Sequence, residues 1–119
     1  MTVLVVDDDP NTRELIGEIL QGHHEVLFAE NGLEAFQWIQ RGHVDLILMD
    51  LHMPIFSGFW FCNAFKRKKS TANIPIVIVS GMLDGENAEK ALSVGACATV
   101  RKPFNCDELL NTVERHAIR

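Results

Sequence analysis

Short apolar runs that end on ionisable or hydroxylated residues alternate along this chain with segments of helical period. Val3-Leu4-Val5-Val6 runs into Asp7-Asp8, and Val44-Asp45-Leu46-Ile47-Leu48-Met49 stops on Asp50, shortly before Pro54. Pro75-Ile76-Val77-Ile78-Val79 runs into Ser80, and Thr99-Val100-Arg101 ends at Lys102-Pro103. Near-continuous apolar runs of this length mark strands buried on both faces, as in a parallel sheet covered by helices. Pro54 forbids simple continuation of the run that ends on Asp50.

The pattern predicts strands over residues 2–7, about 24–29, 44–49, about 74–79 and 96–101. Asp9 is the expected N-cap of a first helix, with Pro10 in its first turn. Leu15, Ile16, Ile19 and Leu20 recur there at helical spacing, and Gly22 closes the element. Asn31-Gly32 opens a second helix that carries Leu33, Phe36 and Ile39 on one face and stops near Gly42. Further helices are expected over roughly 59–68, 85–93 (with Gly95 as the stop) and 107–116. Strands alternating with helices throughout imply an α/β unit with a parallel sheet and helices on both faces. We expect one domain over residues 1–119.

Composition narrows the function classes. A chain of 119 residues suits one core, and an apolar fraction of 47% argues against disorder. The net charge of −5 argues against direct nucleic acid binding by this domain. No apolar run is long enough for a membrane span and no signal peptide is visible, so membrane association is not expected and a cytoplasmic location is. Cys62, Cys97 and Cys106 lack CxxC spacing and read as small core or surface residues in a reducing compartment. Lys66-Arg67-Lys68-Lys69 reads as a solvated complement to a helix C-terminus. The histidines show no metal spacing and are expected at the surface or at caps, His23-His24 in a turn.

Open α/β sheets bind ligands at the carboxyl ends of their strands. Asp7, Asp8, Asp50, Ser80 and Lys102 all fall there. A carboxylate is already ionised at neutral pH and can act as a nucleophile without a general base. Three crowded carboxylates repel each other, which a hard divalent cation relieves. Mg²⁺ (or Mn²⁺) takes oxygen ligands and uses only one or two carboxylates. Asp8 is assigned as a direct ligand, Asp7 as direct or water-mediated, and Asp50 as a further ligand. Lys102 supplies a positive charge at the same edge and a partner for Asp50. Ser80 offers a mobile hydroxyl. The bland alternatives are an acidic helix N-terminus, an idle surface lysine and an ordinary turn serine.

With these residues stand Ala29-Glu30-Asn31-Gly32-Leu33-Glu34-Ala35, His52-Met53-Pro54, Ser57-Gly58, Gly95-Ala96 and Lys102-Pro103-Phe104. Taken in this order, the set resembles the receiver domain of two-component response regulators over essentially the whole chain. The resemblance implies a flavodoxin-like (βα)5 fold with sheet order 2-1-3-4-5. It implies that Asp50 accepts a phosphoryl group from a phosphohistidine of a sensor histidine kinase or phosphotransfer protein, with Mg²⁺. It adds the backbone carbonyl of His52 to the metal ligands, a cis bond at Lys102-Pro103, and donor docking at Asn11, Thr12, Leu15 and the loop after Lys102. The acyl phosphate adds about −1.5 to −2 charge. Ser80 and Lys102 would be drawn inward, biasing the fourth helix and its loop by population shift. Such a protein is a switch limited to its own phosphorylation and dephosphorylation. The family commonly carries an aromatic residue or His where this chain has Thr99, so an aromatic rotamer switch is absent.

One further expectation goes beyond the resemblance. Ile55, Phe56 and Trp60 form an apolar patch beside Asp50 that contacts a partner or a second copy in a homodimer; the alternative is that they fold down onto the third helix. Two other classes also compete. One is a phosphorylation-independent binding module on the same fold, which Thr99 favours. The other is a small-molecule phosphohydrolase, which would want an acid where His52 stands and a cap domain to enclose its substrate.

Overall fold

Alternation along the strands decides how the layers form. The computed structural model describes residues 1–53, 57–81 and 83–116. Strands β1 (Thr2–Val6), β2 (Glu25–Ala29), β3 (Leu46–Met49), β4 (Ile76–Ser80) and β5 (Ala98–Arg101) alternate with helices α1 (Pro10–Leu20), α2 (Gly32–Arg41), α3 (Gly58–Arg67), α4 (Gly85–Ser93) and α5 (Cys106–His116). The strands form one sheet in the order β2-β1-β3-β4-β5, every pair parallel. Successive strand side chains point to opposite faces. Leu4, Val6, Ile47, Met49, Ile76 and Ile78 therefore meet Ala35, Phe61, Cys62, Phe65 and Ala91 of α2, α3 and α4 on one face. Val3, Val5, Leu46, Leu48, Val77 and Val79 meet Ile16 and Leu20 of α1 and Leu109 and Val113 of α5 on the other.

The expected elements are all present, with ends displaced by one or two residues. Asp9 caps α1, its side chain accepting from the Asn11 N–H, and Asn31 caps α2 in the same way through Glu34. The α4–β5 connection turns at Gly95, whose φ of 110° suits glycine and whose missing Cβ leaves room for the Lys66 side chain, 2.5 Å from where that atom would sit.

Three basic or titratable groups depart from expectation. Lys66 is not a solvated end charge: its ammonium donates to the carbonyls of Ala72 (3.0 Å) and Ile74 (2.6 Å), closing the loop between α3 and β4. Burial holds its pKa below the usual lysine range. Lys68 lies over the Phe36 ring at 4.7 Å. His24 is not an idle turn residue, since its Nε2 meets Glu114 of α5 at 2.6 Å and its ring is largely buried. At the sheet margin, the Trp38 indole N–H of α2 donates to the Phe28 carbonyl of β2 (2.9 Å), and Arg41 stacks over the Trp38 ring at 4.9 Å.

Candidate acidic site at the carboxyl edge of the sheet

Parallel register brings the strand ends together. Val6 of β1 pairs with Met49 of β3, so Asp7 and Asp50 leave the sheet side by side. The Asp50 N–H donates to the Val6 carbonyl at 3.0 Å, and the Asp7 N–H donates to the Ala29 carbonyl at 3.1 Å. On the far side Ser80 pairs with Arg101, and the Lys102 N–H donates to the Ser80 carbonyl at 3.0 Å. The chain order of the sheet thus converts five separated sequence positions into one edge.

Carboxylate oxygens of Asp7, Asp8 and Asp50 lie within 4.8 Å of one another. Asp7 is 2% exposed and Asp50 8%, whereas Asp8 faces solvent. The Lys102 ammonium sits 2.8 Å from Asp7 Oδ2 and 3.6 Å from Asp50 Oδ1. Its tighter partner is therefore Asp7, not Asp50 as the sequence suggested, since the distance to the Asp7 carboxylate is the shorter by 0.8 Å (2.8 against 3.6 Å). The other Asp7 oxygen, Oδ1, accepts the Asp9 N–H at 2.9 Å.

Burial is the largest influence on Asp50 and raises its pKa; Lys102 opposes this, and Asp7 adds to it. Asp9 moves the other way, lowered chiefly by the Thr12 hydroxyl and then by the Asn11 N–H. The site therefore holds one carboxylate whose charge is poorly compensated by the protein alone. Three hard oxygen donors around such a group fit a divalent cation of the Mg²⁺ type.

The loop that follows Asp50 is fixed by close approach. Gly58, at the start of α3, lies so near β3 that a Cβ there would fall 2.2 Å from the Asp50 carbonyl oxygen. Its N–H donates to the Leu51 carbonyl at 2.9 Å. Only glycine lets α3 begin there. His52 follows in the loop with its imidazole exposed. Ser80 is fully buried at the end of β4, and Thr99 is half-buried opposite Ile78. The Lys102-Pro103 peptide is cis.

Among the predicted contact residues, Asn11 and Thr12 are engaged with Asp9, whereas Leu15 is exposed. Trp60 is 52% exposed and packs edge-on against Phe61, so it does not fold down onto the core. Ile55 and Phe56, the other members of that patch, lie outside the described residues.

Sequence reasoning missed Arg13. From the first turns of α1 it donates to the Asp7 carbonyl at 2.6 Å and reaches Glu30 Oε1 at 3.6 Å. The available signal was a single arginine about one helical turn after the acidic triplet, with partners that only the fold supplies.

Residues 3–114 match the family model of the response regulator receiver domain. The chain is 36% identical over 110 residues to the phosphate regulon transcriptional regulatory protein PhoB of Pseudomonas aeruginosa, covering 92% of this chain and 48% of that protein. It is 36% identical over 120 residues to a cyclic di-GMP phosphodiesterase of Thermotoga maritima, covering 100% of this chain and 31% of the relative. The chain thus spans less than half the length of either. Among solved structures, the chemotaxis protein CheY4 of Vibrio cholerae superposes with a TM-score of 0.89 at 33% identity over 96% of both chains. A Francisella response regulator receiver domain gives 0.88 at 28% identity over 97% of this chain and 94% of the other.

Proposed function

Because the chain belongs to the response regulator receiver domain family, we propose that Asp50 is the phosphoryl acceptor and that residues 1–119 form a single such domain. The observation that carries the assignment is the meeting of Asp7, Asp8, Asp50 and Lys102 at one sheet edge. Receiver domains are signalling modules that take phosphoryl groups from histidine kinases or phosphotransfer proteins, and the donor here is a phosphohistidine of such a protein. An Asp50 oxygen attacks phosphorus, the P–N bond breaks, and its electron pair returns to the donor imidazole, which takes a proton from solvent. Lys102 already spans Asp7 and Asp50 and needs only a small movement to meet a phosphoryl oxygen. Ser80, one position beyond the neighbour of Asp50 on β4, supplies a hydroxyl at the same edge.

Asp7, Asp8, Asp50 and the His52 carbonyl would hold Mg²⁺ or Mn²⁺. When bound, the ion neutralises charge that would otherwise repel the incoming phosphoryl group. Leu15, with Asn11 and Thr12, gives the donor a contact on α1, and exposed Trp60 gives a partner or a second copy one on α3. The chemistry is confined to Asp50 itself, its phosphorylation and subsequent hydrolysis. The described residues include no helix long and apolar enough to cross a membrane, and a cytoplasmic location suits a kinase-fed switch.

Thr99, in place of an aromatic residue, supports a second reading, a phosphorylation-independent binding module. Intact mass after incubation with a small acyl-phosphate donor, with and without Mg²⁺, separates the two. One phosphoryl group added to wild type but not to Asp50→Asn, dependent on metal, is expected. No addition under any condition would leave the binding module as the reading.

A further inference from the structure

We infer that Arg13 is a positioning residue for the acidic site, holding the peptide between Asp7 and Asp8 so that their carboxylates converge on a divalent cation. The inference rests on the metal reading above. β1 ends at Val6, and the last ladder bonds on this side are those of the Val6 carbonyl and the Asp7 N–H. The Asp7 carbonyl has left the sheet, and Arg13 takes it at 2.6 Å in place of a neighbouring strand. Asp8 reaches the cluster from this loop alone, so the direction of its Cα–Cβ bond follows the Asp7–Asp8 peptide plane.

The guanidinium is itself held. Its side chain is 16% exposed, its second nitrogen faces Glu30 Oε1 at 3.6 Å, and the Glu30 N–H donates to Glu34 at 2.9 Å. The hydrogen bond to the Asp7 carbonyl and the ion pair with Glu30 together restrain the plane of the arginine, which a point charge cannot do. Arg13 thereby ties the loop after β1 to the loop after β2. Outer groups that orient metal ligands in this way commonly change affinity by about 10- to 100-fold when removed.

Electrostatics and positioning predict opposite signs, which makes the role testable. Arg13 carries positive charge close to a cation site. If it acted through charge alone, its loss would tighten Mg²⁺ binding. If it positions Asp7 and Asp8, its loss weakens binding in spite of the relieved repulsion.

The experiment is Mg²⁺ titration by calorimetry on the full chain, comparing wild type, Arg13→Met and Arg13→Lys, with folding checked by circular dichroism. Expected are a Kd about tenfold higher for Arg13→Met and a smaller rise for Arg13→Lys, which keeps the charge and loses the fork. Equal or tighter binding by Arg13→Met would overturn the inference. Should that variant not fold, Arg13→Lys decides: a Kd above wild type supports the role, and an unchanged Kd overturns it. Absence of Mg²⁺ binding by the wild type would overturn the metal reading together with this inference, an outcome distinct from either.

Discussion

Asp50→Asn should stabilise the metal-free protein. At an effective dielectric constant of about 20, the 3.6 Å approach of Lys102 gives roughly 4–5 kcal/mol of attraction to the Asp50 carboxylate. Asp7, within 4.8 Å, gives roughly 3–4 kcal/mol of repulsion on the same scale. Asp8 adds about half as much, since it faces solvent and is screened. Attraction and repulsion nearly cancel, which leaves the burial of the carboxylate to decide the balance. Its raised pKa has burial as the largest cause and agrees with that sign. Asparagine keeps the shape and removes the charge, so a gain of about 1–3 kcal/mol is expected, or about 4–10 °C in melting temperature for a domain of this size.

Thermal and urea unfolding in EDTA at neutral pH measure the difference. A group whose folded pKa is raised contributes stability below its unfolded pKa and loses it as pH rises through the folded one. The advantage of the asparagine variant should therefore be full at neutral pH and vanish as pH falls through the raised Asp50 pKa toward 3.8. Mg²⁺ should narrow the gap by stabilising wild type preferentially. If Asp50→Asn melts below wild type in EDTA, the ion pair with Lys102 outweighs burial and the reasoning fails.

Gly58→Ala should cost about 1–3 kcal/mol in urea unfolding and weaken Mg²⁺ binding, because the new Cβ meets the Asp50 backbone carbonyl at 2.2 Å and backbone cannot step aside; an unchanged midpoint would refute the close approach. Lys66→Met should cost about 1–3 kcal/mol by leaving the Ala72 and Ile74 carbonyls without their donor, and a loss no larger than that of Lys69→Met would show the ammonium to be idle. Alkylation followed by mass spectrometry should label exposed Cys106 and Cys97 in the folded protein. Cys62, buried and with its thiol pushed up to about 11, should label only in denaturant.

The fold was legible because β1, β3 and β4 are nearly unbroken apolar runs, and each of these runs ends where its chemistry begins. Asp7, Asp50, Ser80 and Lys102 could be placed at one edge from strand ends alone, since parallel strands share a direction. Pairings within that edge were not legible. Which carboxylate Lys102 prefers depends on side-chain direction, and the fold gives Asp7 the shorter contact. Lys66 and Arg13 looked like ordinary helix charges because their acceptors are main-chain carbonyls, which have no signature in a sequence. His24 meets Glu114 across 90 residues, a contact that no local spacing announces. Trp60 faces outward, as the expected apolar patch requires, because Phe61 and Cys62 take the buried positions beside it and Phe59 packs against the core.

The tie between Trp38 and the Phe28 carbonyl bears on how such molecules can assemble. A terminal strand normally offers a row of open donors and acceptors onto which a foreign strand can graft. Here an indole occupies one acceptor on β2, and a guanidinium seals the ring from outside. One of the acceptors that a foreign strand would need on that border is already taken, which disfavours strand-by-strand extension of the sheet there. A contact between copies at that border would then lean on side chains, which can be made and broken with the state of a switch. Trp38→Ala would test the point by exposing a border prone to irreversible growth.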